Sequence, residues 1–438
     1  MPYMVKKRQN NMKNIIFLLL LIPTIIFAQQ TPAKKQNGIV TIHGATAHIG
    51  NGEVIENSLI MFENGKLTLV TDATLTKKAY LGTIINAEGK HVYPGFIVPN
   101  STLGLAEIDA VKATLDQGEI GRMNPHIRSI IAYNTESKVT ETIKANGMLI
   151  AQITPRGGNI SGTSSIVQFD AWNYEDALIK EDDGIHLNWP ASFRRSGWWA
   201  EPGPIVENKN YVKDVQRIKD FFSDAKANNK ETIDLKNKAM QGIFNGSQTL
   251  FIHANGEKEI VEAIDFKNEF NIKNLVIVGG FDAYKVTNLL KENNVPIILK
   301  RIHALPTAED QDIKLPFKLP KLLDDAGILV ALDVAGGRME RMQTRNLPFY
   351  AGTAVAYGLD YEKAIAMLTL NTAKILKIDT KVGSLEVGKD ATLFISEGDT
   401  LDMRTNKVIS AYIQGRNISL DTHQKQLYKK YTNKYSQK

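Results

Sequence analysis

Two residues that can transfer protons stand at the ends of apolar runs. His253 closes the run TLFIH, and Asp333 closes the run ILVALD. An imidazole or a carboxylate in a cavity can take a proton from water or return one to a leaving group. Burying an unpaired carboxylate is costly, so Asp333 either faces a cavity or forms an ion pair, with Arg338 or Arg341 as the partner. For His253 the alternative to a functional role is a hydrogen-bonded structural histidine.

A second group of residues could bind a substrate. Arg156 precedes two glycines in the segment RGGNISGTSS, and its guanidinium could clamp a carboxylate with two parallel hydrogen bonds. The N–H groups and hydroxyls of that segment could bind an oxyanion, although a plain glycine turn explains the segment equally well. No GK[ST] follows, so it is not a phosphate-binding P-loop. His303, after the run VPIIL, and His186, in DGIHLNWP, are further candidates.

These side chains must be positioned by an alternation of apolar runs and amphipathic segments. Strands are predicted at VYPGFIV, MLIAQIT, SSIVQF, TLFIHA, LVIVGG, VPIIL and ILVALDV, and an eighth is obscure between residues 171 and 245. Such runs, separated by helices, are typical of parallel strands covered on both faces. We therefore predict an α/β fold, a (β/α)8 TIM barrel, with an open doubly wound sheet as the alternative. Strand C-termini form the active site of a TIM barrel, which is where His253 and Asp333 lie.

Short strands are predicted at both chain ends, outside this alternation. Residues 36–93 contain IVTIHGATAHI and VIENSLIMF, and residues 380–420 contain ATLFI and KVISAYIQG. They predict a composite β-sandwich built from both ends of the chain, with the barrel in residues 94–379. Asp360 is the predicted N-cap of the barrel helix DYEKAIAMLTL, because its carboxylate can accept from the first free N–H groups.

The N-terminal residues 1–28 have the pattern of a secretory signal peptide. A basic head precedes the apolar run IIFLLLLIPTIIFA. This run has about 14 residues, fewer than the roughly 20 that span a bilayer as a helix. The pattern predicts export, to the periplasm or out of the cell, with a retained membrane anchor as the alternative.

Composition excludes several functions. The chain has 53 basic and 47 acidic residues, and without the leader the balance is 49 to 47. No basic stripe is present, so we predict no nucleic-acid binding. The chain has no cysteine, which excludes disulfides, thiolate nucleophiles and cysteine-bound metals.

Three segments carry a family resemblance. GKHVYPGFIVPN, NTAKILKID and GSLEVGKDATLF resemble the amidohydrolase superfamily, in its imidazolonepropionase-like branch, and the similarity covers about residues 36–420. The resemblance implies a metal-dependent barrel hydrolase that cleaves C–N bonds other than peptide bonds, in cyclic amides or dipeptide-like substrates. In such a site a His-x-His pair on strand one, later histidines and a strand-eight Asp hold zinc, which lowers the pKa of bound water to about 7.

The chain departs from the family pattern where metal ligands are expected. The strand-one histidines fall on Asn100 and Thr102, and the strand-six histidine is replaced by the glycines of VIVGG. Neutral oxygens are poor ligands for zinc. His253 matches the strand-five histidine, and Asp333 lies close to the strand-eight Asp. We expect no complete metal site, and at most zinc at reduced occupancy.

Two functions follow from this pattern. In the first, the chain is an exported hydrolase in which His253 and Asp333 are catalytic and Arg156, Asn100, Thr102 and His303 bind the small-molecule substrate. In the second, it is a catalytically inactive, metal-free barrel. This pseudoenzyme would bind a ligand or a protein partner, such as a second copy or an intact amidohydrolase relative.

Overall fold

Apolar runs of the sequence form strands, and the amphipathic segments between them form helices. The computed structural model describes residues 31–227, 234–306, 308, 310–335 and 339–437, so the predicted leader and Arg338 lie outside the described residues. From Pro32 onward the chain forms one unit. No helix of the described part is long and apolar enough to cross a membrane.

The strands, in chain order, fall into a terminal sheet, a barrel sheet and one hairpin. They are β1 (Val40–His48), β2 (Val54–Glu63), β3 (Lys66–Asp72), β4 (Thr83–Asn86), β5 (His91–Pro94), β6 (Phe96–Ser101), β7 (Met148–Ile153), β8 (Ile160–Gln168), β9 (Leu178–Asn188), β10 (Phe193–Trp198), β11 (Glu201–Glu207), β12 (Thr249–Ala254), β13 (Leu275–Gly279), β14 (Ile297–Leu299), β15 (Val330–Leu332), β16 (Leu393–Ser396), β17 (Val408–Ile413) and β18 (Arg416–Asn417).

The helices lie mainly between the barrel strands. They are α1 (Lys138–Lys144), α2 (Tyr174–Ala177), α3 (Tyr211–Ala227), α4 (Leu235–Ala239), α5 (Gln241–Asn245), α6 (Glu257–Phe270), α7 (Thr287–Glu292), α8 (Leu315–Asp325), α9 (Glu340–Gln343), α10 (Leu347–Ala356), α11 (Tyr361–Leu368), α12 (Leu370–Ile375) and α13 (His423–Ser436). Short 3₁₀ turns span Ala73–Leu75, Lys112–Thr114, Ser129–Ala132, Ala283–Lys285 and Thr344–Asn346.

The barrel sheet has eight strands in the order β6-β7-β8-β9-β12-β13-β14-β15. Its two end strands, β6 and β15, lie against each other and nearly close the barrel. The α/β barrel predicted from the sequence is confirmed, and the obscure eighth strand is β9. One strand differs from the parallel expectation, because β8 runs antiparallel to both neighbours. Only residues 154–159 connect it to β7, which is too short for the crossover that a parallel pair needs.

Helices cover the barrel with the apolar faces that their sequences predict. α6 buries Ile260, Ala263 and Ile264 against β12 and β13, which is the spacing of one helical face. α11 begins where predicted, since the Asp360 carboxylate accepts a hydrogen bond from the N–H of Lys363 at 3.1 Å.

The terminal sheet contains strands from both chain ends, in the order β18-β17-β16-β5-β1-β2-β3, with β4 paired to β1. Phe394 of β16 joins this sheet to the barrel. Its ring packs edge-on against Phe96 with 5.0 Å between centroids and stacks on Tyr93 at 5.3 Å. Gly147 allows the approach, because a Cβ there would lie 2.6 Å from the Phe394 ring. The composite β layer predicted from the sequence is therefore present.

Replacing Phe394 with alanine should destabilise the whole unit. The ring is fully buried, and deletion of a buried aromatic ring costs about 3–5 kcal/mol in free energy of unfolding. Phe193→Ala is the matched control because that side chain is 62% exposed, and its effect should stay within about 0.5 kcal/mol. Urea denaturation measures the free energy of unfolding of both variants. Equal effects would contradict the role of Phe394 in joining the terminal sheet to the barrel.

Candidate active site

Asp333 lies directly after β15 and is bound by an amide rather than by a cation. Nδ2 of Asn100 donates to its Oδ2 at 2.8 Å, and the N–H of Ala335 donates to its Oδ1 at 3.0 Å. Of the two predicted ion-pair partners, Arg338 lies outside the described residues and Arg341 pairs with Asp109 at 2.9 Å. Asp333 is fully buried at the C-terminal end of the barrel.

The backbone of Asn100 directs its side chain across the barrel. The residue has φ 46°, in the left-handed region that asparagine tolerates better than most residues. Its N–H donates to Oε1 of Gln152 on β7 at 3.0 Å. Asn100 therefore connects β7 on one side with Asp333 on the other.

Arg156 is held by groups of its own chain. Its guanidinium donates to Oδ1 of Asn100 at 3.0 Å, to the carbonyl oxygen of Asn100 at 2.7 Å and to Oε1 of Glu340 at 2.8 Å. The ion pair with Glu340 occupies the donors that we expected to clamp a substrate carboxylate. The glycines after Arg156 form a turn, with φ 95° at Gly157 and 64° at Gly158.

A chain of hydrogen bonds crosses the barrel interior from His253. Its Nε2 lies 3.0 Å from Nδ1 of His186, and Nε2 of His186 lies 3.0 Å from Oγ of Ser164. That hydroxyl donates to Oδ1 of Asp183 at 2.7 Å, and Nε2 of Gln152 donates to Oδ2 of Asp183 at 2.8 Å. We call His253, His186, Ser164 and Asp183 the relay. Gln152 joins it to Asn100.

The direction of hydrogen-bond donation along the relay determines which nitrogen of each histidine carries the proton. An ionised Asp183 only accepts, so Ser164 donates to it and accepts from Nε2–H of His186. Nδ1 of His186 then carries the lone pair and accepts from Nε2–H of His253. Nδ1 of His253 is left as the basic nitrogen. It makes no hydrogen bond with another described residue and is not among the fully buried atoms.

Burial perturbs every titratable group of the relay. It lowers the pKa of His253 well below the ordinary value, with the charge of Lys300 as the next cause. It also lowers the pKa of His186 well below the ordinary value, with the charge of Arg156 as the next cause. Burial raises the pKa of Asp183 to about 6, against the hydrogen bond from Ser164. Near neutral pH both imidazoles are therefore neutral, which is the state in which a histidine can act as a base.

Asp333 is perturbed in the same direction as Asp183. Burial raises its pKa to about 6, while the hydrogen bond from Asn100 opposes the shift and the charge of Glu340 adds to it. This value lies close to neutral pH, so both protonation states of Asp333 are accessible there.

Lys300 is a site residue that the sequence analysis missed. It follows β14 as Asp333 follows β15, and Leu299 pairs with Leu332, so Lys300 and Asp333 are aligned at neighbouring strand ends. Paired residues of adjacent strands point to the same side. Burial lowers the pKa of Lys300, with Asp333 opposing and Arg156 adding to the shift. The signal in the sequence is the same for both: a charged residue directly after an apolar run.

Thr102 and His303 lie outside these hydrogen bonds. Thr102 is buried, and its hydroxyl makes no hydrogen bond with another described residue. Nε2 of His303 lies 2.7 Å from Oγ1 of Thr353, and its ring centroid lies 4.2 Å from that of Tyr350. The structure thus brings together His253, Asp333, Arg156 and Asn100 through hydrogen bonds and charge interactions, but leaves His303 with α10.

Zinc does not fit the residues at this end of the barrel. In the described ranges, no group of three or more His, Asp or Glu side chains is placed to hold a metal ion. Asn100 offers an amide already bound to Asp333, and the facing nitrogens of His253 and His186 are bonded to each other. The guanidinium of Arg156, which bonds to Asn100, would also repel a metal cation.

Comparison with known proteins supports the family resemblance. A family model described as the amidohydrolase family matches residues 242–418. An amidohydrolase from Thermotoga maritima MSB8 has a TM-score of 0.74 at 23% identity, covering 87% of this chain and 99% of that chain. The resemblance to the amidohydrolase superfamily is confirmed. The imidazolonepropionase-like branch stays a prediction.

Two further solved structures are similar to this chain in fold. A Xaa-Pro dipeptidase with bound methionine has a TM-score of 0.53 at 16% identity, covering 87% of this chain and 100% of that chain. An adenosine deaminase from Xanthomonas campestris with bound zinc has a TM-score of 0.52 at 13% identity, covering 91% and 98%. No curated protein matches the sequence of this chain.

The tautomer of His253 tests the relay. At pH 8 we expect Nε2 of His253 to carry the proton and Nδ1 to be bare, as measured by ¹⁵N NMR of histidine-labelled protein. Asp183→Asn replaces the nearer of the two acceptors of the Ser164 hydroxyl by an amide that can also donate, leaves the carbonyl oxygen of Gly184 at 3.2 Å as the other acceptor, and should mix the tautomers. In the wild type the same mixing should appear as pH falls through about 6, where Asp183 gains a proton.

Asp182→Asn is the matched control for this substitution. Asp182 is the neighbouring carboxylate, but it pairs with Arg128 at 2.8 Å outside the relay. The control should leave the histidine spectra unchanged. A wild-type spectrum at pH 8 with the proton on Nδ1 of His253 would contradict the assigned polarity.

Proposed function

We propose that this chain is an exported hydrolase that cleaves a C–N bond other than an ordinary peptide bond in a small cyclic amide or dipeptide-like substrate. The observation that carries the proposal is the relay, which leaves a neutral, unprotonated Nδ1 on His253. The resemblance in fold to an amidohydrolase and to a Xaa-Pro dipeptidase supports the reaction class.

His253 acts as the general base in this reaction. Its Nδ1 takes a proton from water as the water attacks the substrate carbonyl carbon. The imidazolium that forms keeps its Nε2–H bond to His186, and the negative charge of Asp183 stabilises it through Ser164. A base whose second nitrogen is anchored in this way has a fixed tautomer and orientation.

Asp333 returns a proton to the leaving nitrogen. With a pKa of about 6 it can be protonated in part of the population near neutral pH. Asn100 holds the carboxyl group in place. The unpartnered hydroxyl of Thr102 is available for a substrate polar group, whereas a substrate carboxylate would reach Arg156 only by displacing Glu340.

An inactive, metal-free pseudoenzyme is the second candidate. It is favoured by the way in which Asn100, Arg156, Glu340 and Asp333 satisfy one another at the barrel mouth. Such a barrel would bind a small ligand, a second copy or an intact amidohydrolase relative. The two candidates differ in turnover, since only a hydrolase releases an amine or ammonia.

A substrate screen with a base variant tests the proposal. We expect the wild type to hydrolyse at least one member of a panel of cyclic amides and short dipeptides, with chelator present. His253→Ala should lower kcat/KM by at least about 100-fold, because a positioned general base contributes 10²–10⁴-fold. His423→Ala, an exposed histidine at the start of α13, is the control and should retain full activity.

Activity that survives His253→Ala would show that His253 is not the base. No turnover anywhere in the panel, from a folded wild type, would favour the pseudoenzyme.

A further inference from the structure

Lys300 differs in its surroundings from the other cation of the barrel mouth. The charge of Arg156 is compensated by contact with Glu340 at 2.8 Å. Among the described residues, the Lys300 amine makes no hydrogen bond and no ion pair, and its nitrogen is not fully enclosed by protein atoms. A lysine without a partner inside a barrel has a free amine available to a ligand.

The strand register places this amine beside an acid. Leu299 and Leu332 are paired, so Lys300 and Asp333 stand next to each other at the ends of β14 and β15. Asp333 reaches Asn100 on β6, which lies against β15, so its side chain points into the barrel mouth. Lys300, aligned with it, belongs to the same face.

The surroundings of Lys300 favour its neutral form. Burial is the largest cause and lowers its pKa; the charges of Asp333 and Glu340 oppose the shift, and the positive charge of Arg156 adds to it. Desolvation next to another cation is a general way to make a lysine nucleophilic, because only the neutral amine can attack a carbonyl carbon. Asp333, whose own pKa is raised to about 6, can supply and take back protons at the same place.

We propose that Lys300 is a nucleophilic amine that forms an imine with a small aldehyde or ketone bound in the barrel mouth. The Nζ lone pair forms a bond to the carbonyl carbon, and the carbonyl oxygen gains a proton to give a carbinolamine. The nitrogen then loses one of its two protons, a second proton is added to the oxygen, the C–O bond breaks, and one water leaves, leaving behind the protonated imine. No oxidant or reductant is needed. Asp333, aligned with Lys300 at the end of the neighbouring strand, is the acid for these transfers.

This chemistry goes beyond the proposed C–N bond hydrolysis and is independent of it. It needs Lys300 and an acid, but neither the relay nor His253 as a base. The two can therefore fail separately, since a protein that hydrolyses no amide can still trap a carbonyl compound at Lys300, and the reverse also holds.

Reductive trapping tests the proposal without knowledge of the natural ligand. Glycolaldehyde at low concentration with sodium cyanoborohydride converts each imine into a stable secondary amine, which peptide mass spectrometry assigns to its lysine. An ordinary lysine has a pKa of about 10.4 and is almost fully protonated at pH 7. We expect Lys300 to be labelled at least about tenfold faster than the exposed Lys291 at pH 7, with the ratio falling at pH 10.

Two substitutions distinguish the reactivity of the Lys300 amine from the effect of its positive charge. Lys300→Arg keeps a cation but cannot form the imine, and it should abolish the fast label, whereas Lys291→Arg should leave it unchanged. The wild-type measurement decides the matter even if Lys300→Arg does not fold. Labelling of Lys300 at pH 7 no faster than that of Lys291 would overturn the proposal.

Discussion

The hydrogen bond from Asn100 to Asp333 joins the two strands between which the barrel would otherwise be open. β6 and β15 are the ends of the sheet, and no ladder of backbone bonds joins these two described strands. The Asn100 amide spans the gap at 2.8 Å, and Arg156 adds a second connection from Asn100 to Glu340, after β15. The family resemblance implies an ion that would join strand one and strand eight. Here an amide takes that place, and the carboxylate is satisfied by neutral donors.

The remaining polar groups of the barrel interior are connected to the Asn100–Asp333 hydrogen bond through Gln152. Gln152 accepts from the Asn100 N–H and donates to Asp183. The Asn100–Asp333 hydrogen bond and the relay therefore form one connected network from Asp333 to His253. A polar network inside an apolar barrel is stable only when each member finds a partner. The Ser164 hydroxyl donates to Asp183 or to the carbonyl oxygen of Gly184 at 3.2 Å, both of which only accept, so it accepts from His186, and this fixes the direction of the relay. Lys300 stands outside this network, and for that reason its amine is open to other chemistry.

The sequence predicts the fold well because strand and helix patterns are local. The apolar runs that end at His253 and Asp333, and the N-cap at Asp360, have the types and positions that the sequence indicates. The antiparallel direction of β8 was missed because an apolar run such as SSIVQF predicts a strand but not its direction relative to the neighbouring strands. Only the short connection after Ile153 reveals it, and the reversal sets Ser164 beside His186.

The site is less predictable than the fold, because its contacts join residues far apart in the chain. Arg156 lies 184 positions from Glu340, and no local pattern indicates that the two pair. The same holds for Ser164 and His186, whose link depends on the register between β8 and β9. Lys300 was visible as a charge after an apolar run, but its lack of a partner is a property of the folded barrel alone.

The most direct test of the central claim is the zinc content of the protein. Wild-type protein, purified without chelator, dialysed against excess zinc and then desalted, would be examined by elemental analysis. If Asn100 and Asp333 are bound to each other where relatives bind an ion, the preparation should contain far less than one zinc per chain. One tightly held zinc per chain would contradict the account, because it would require Asp333 to exchange the Asn100 amide for a metal.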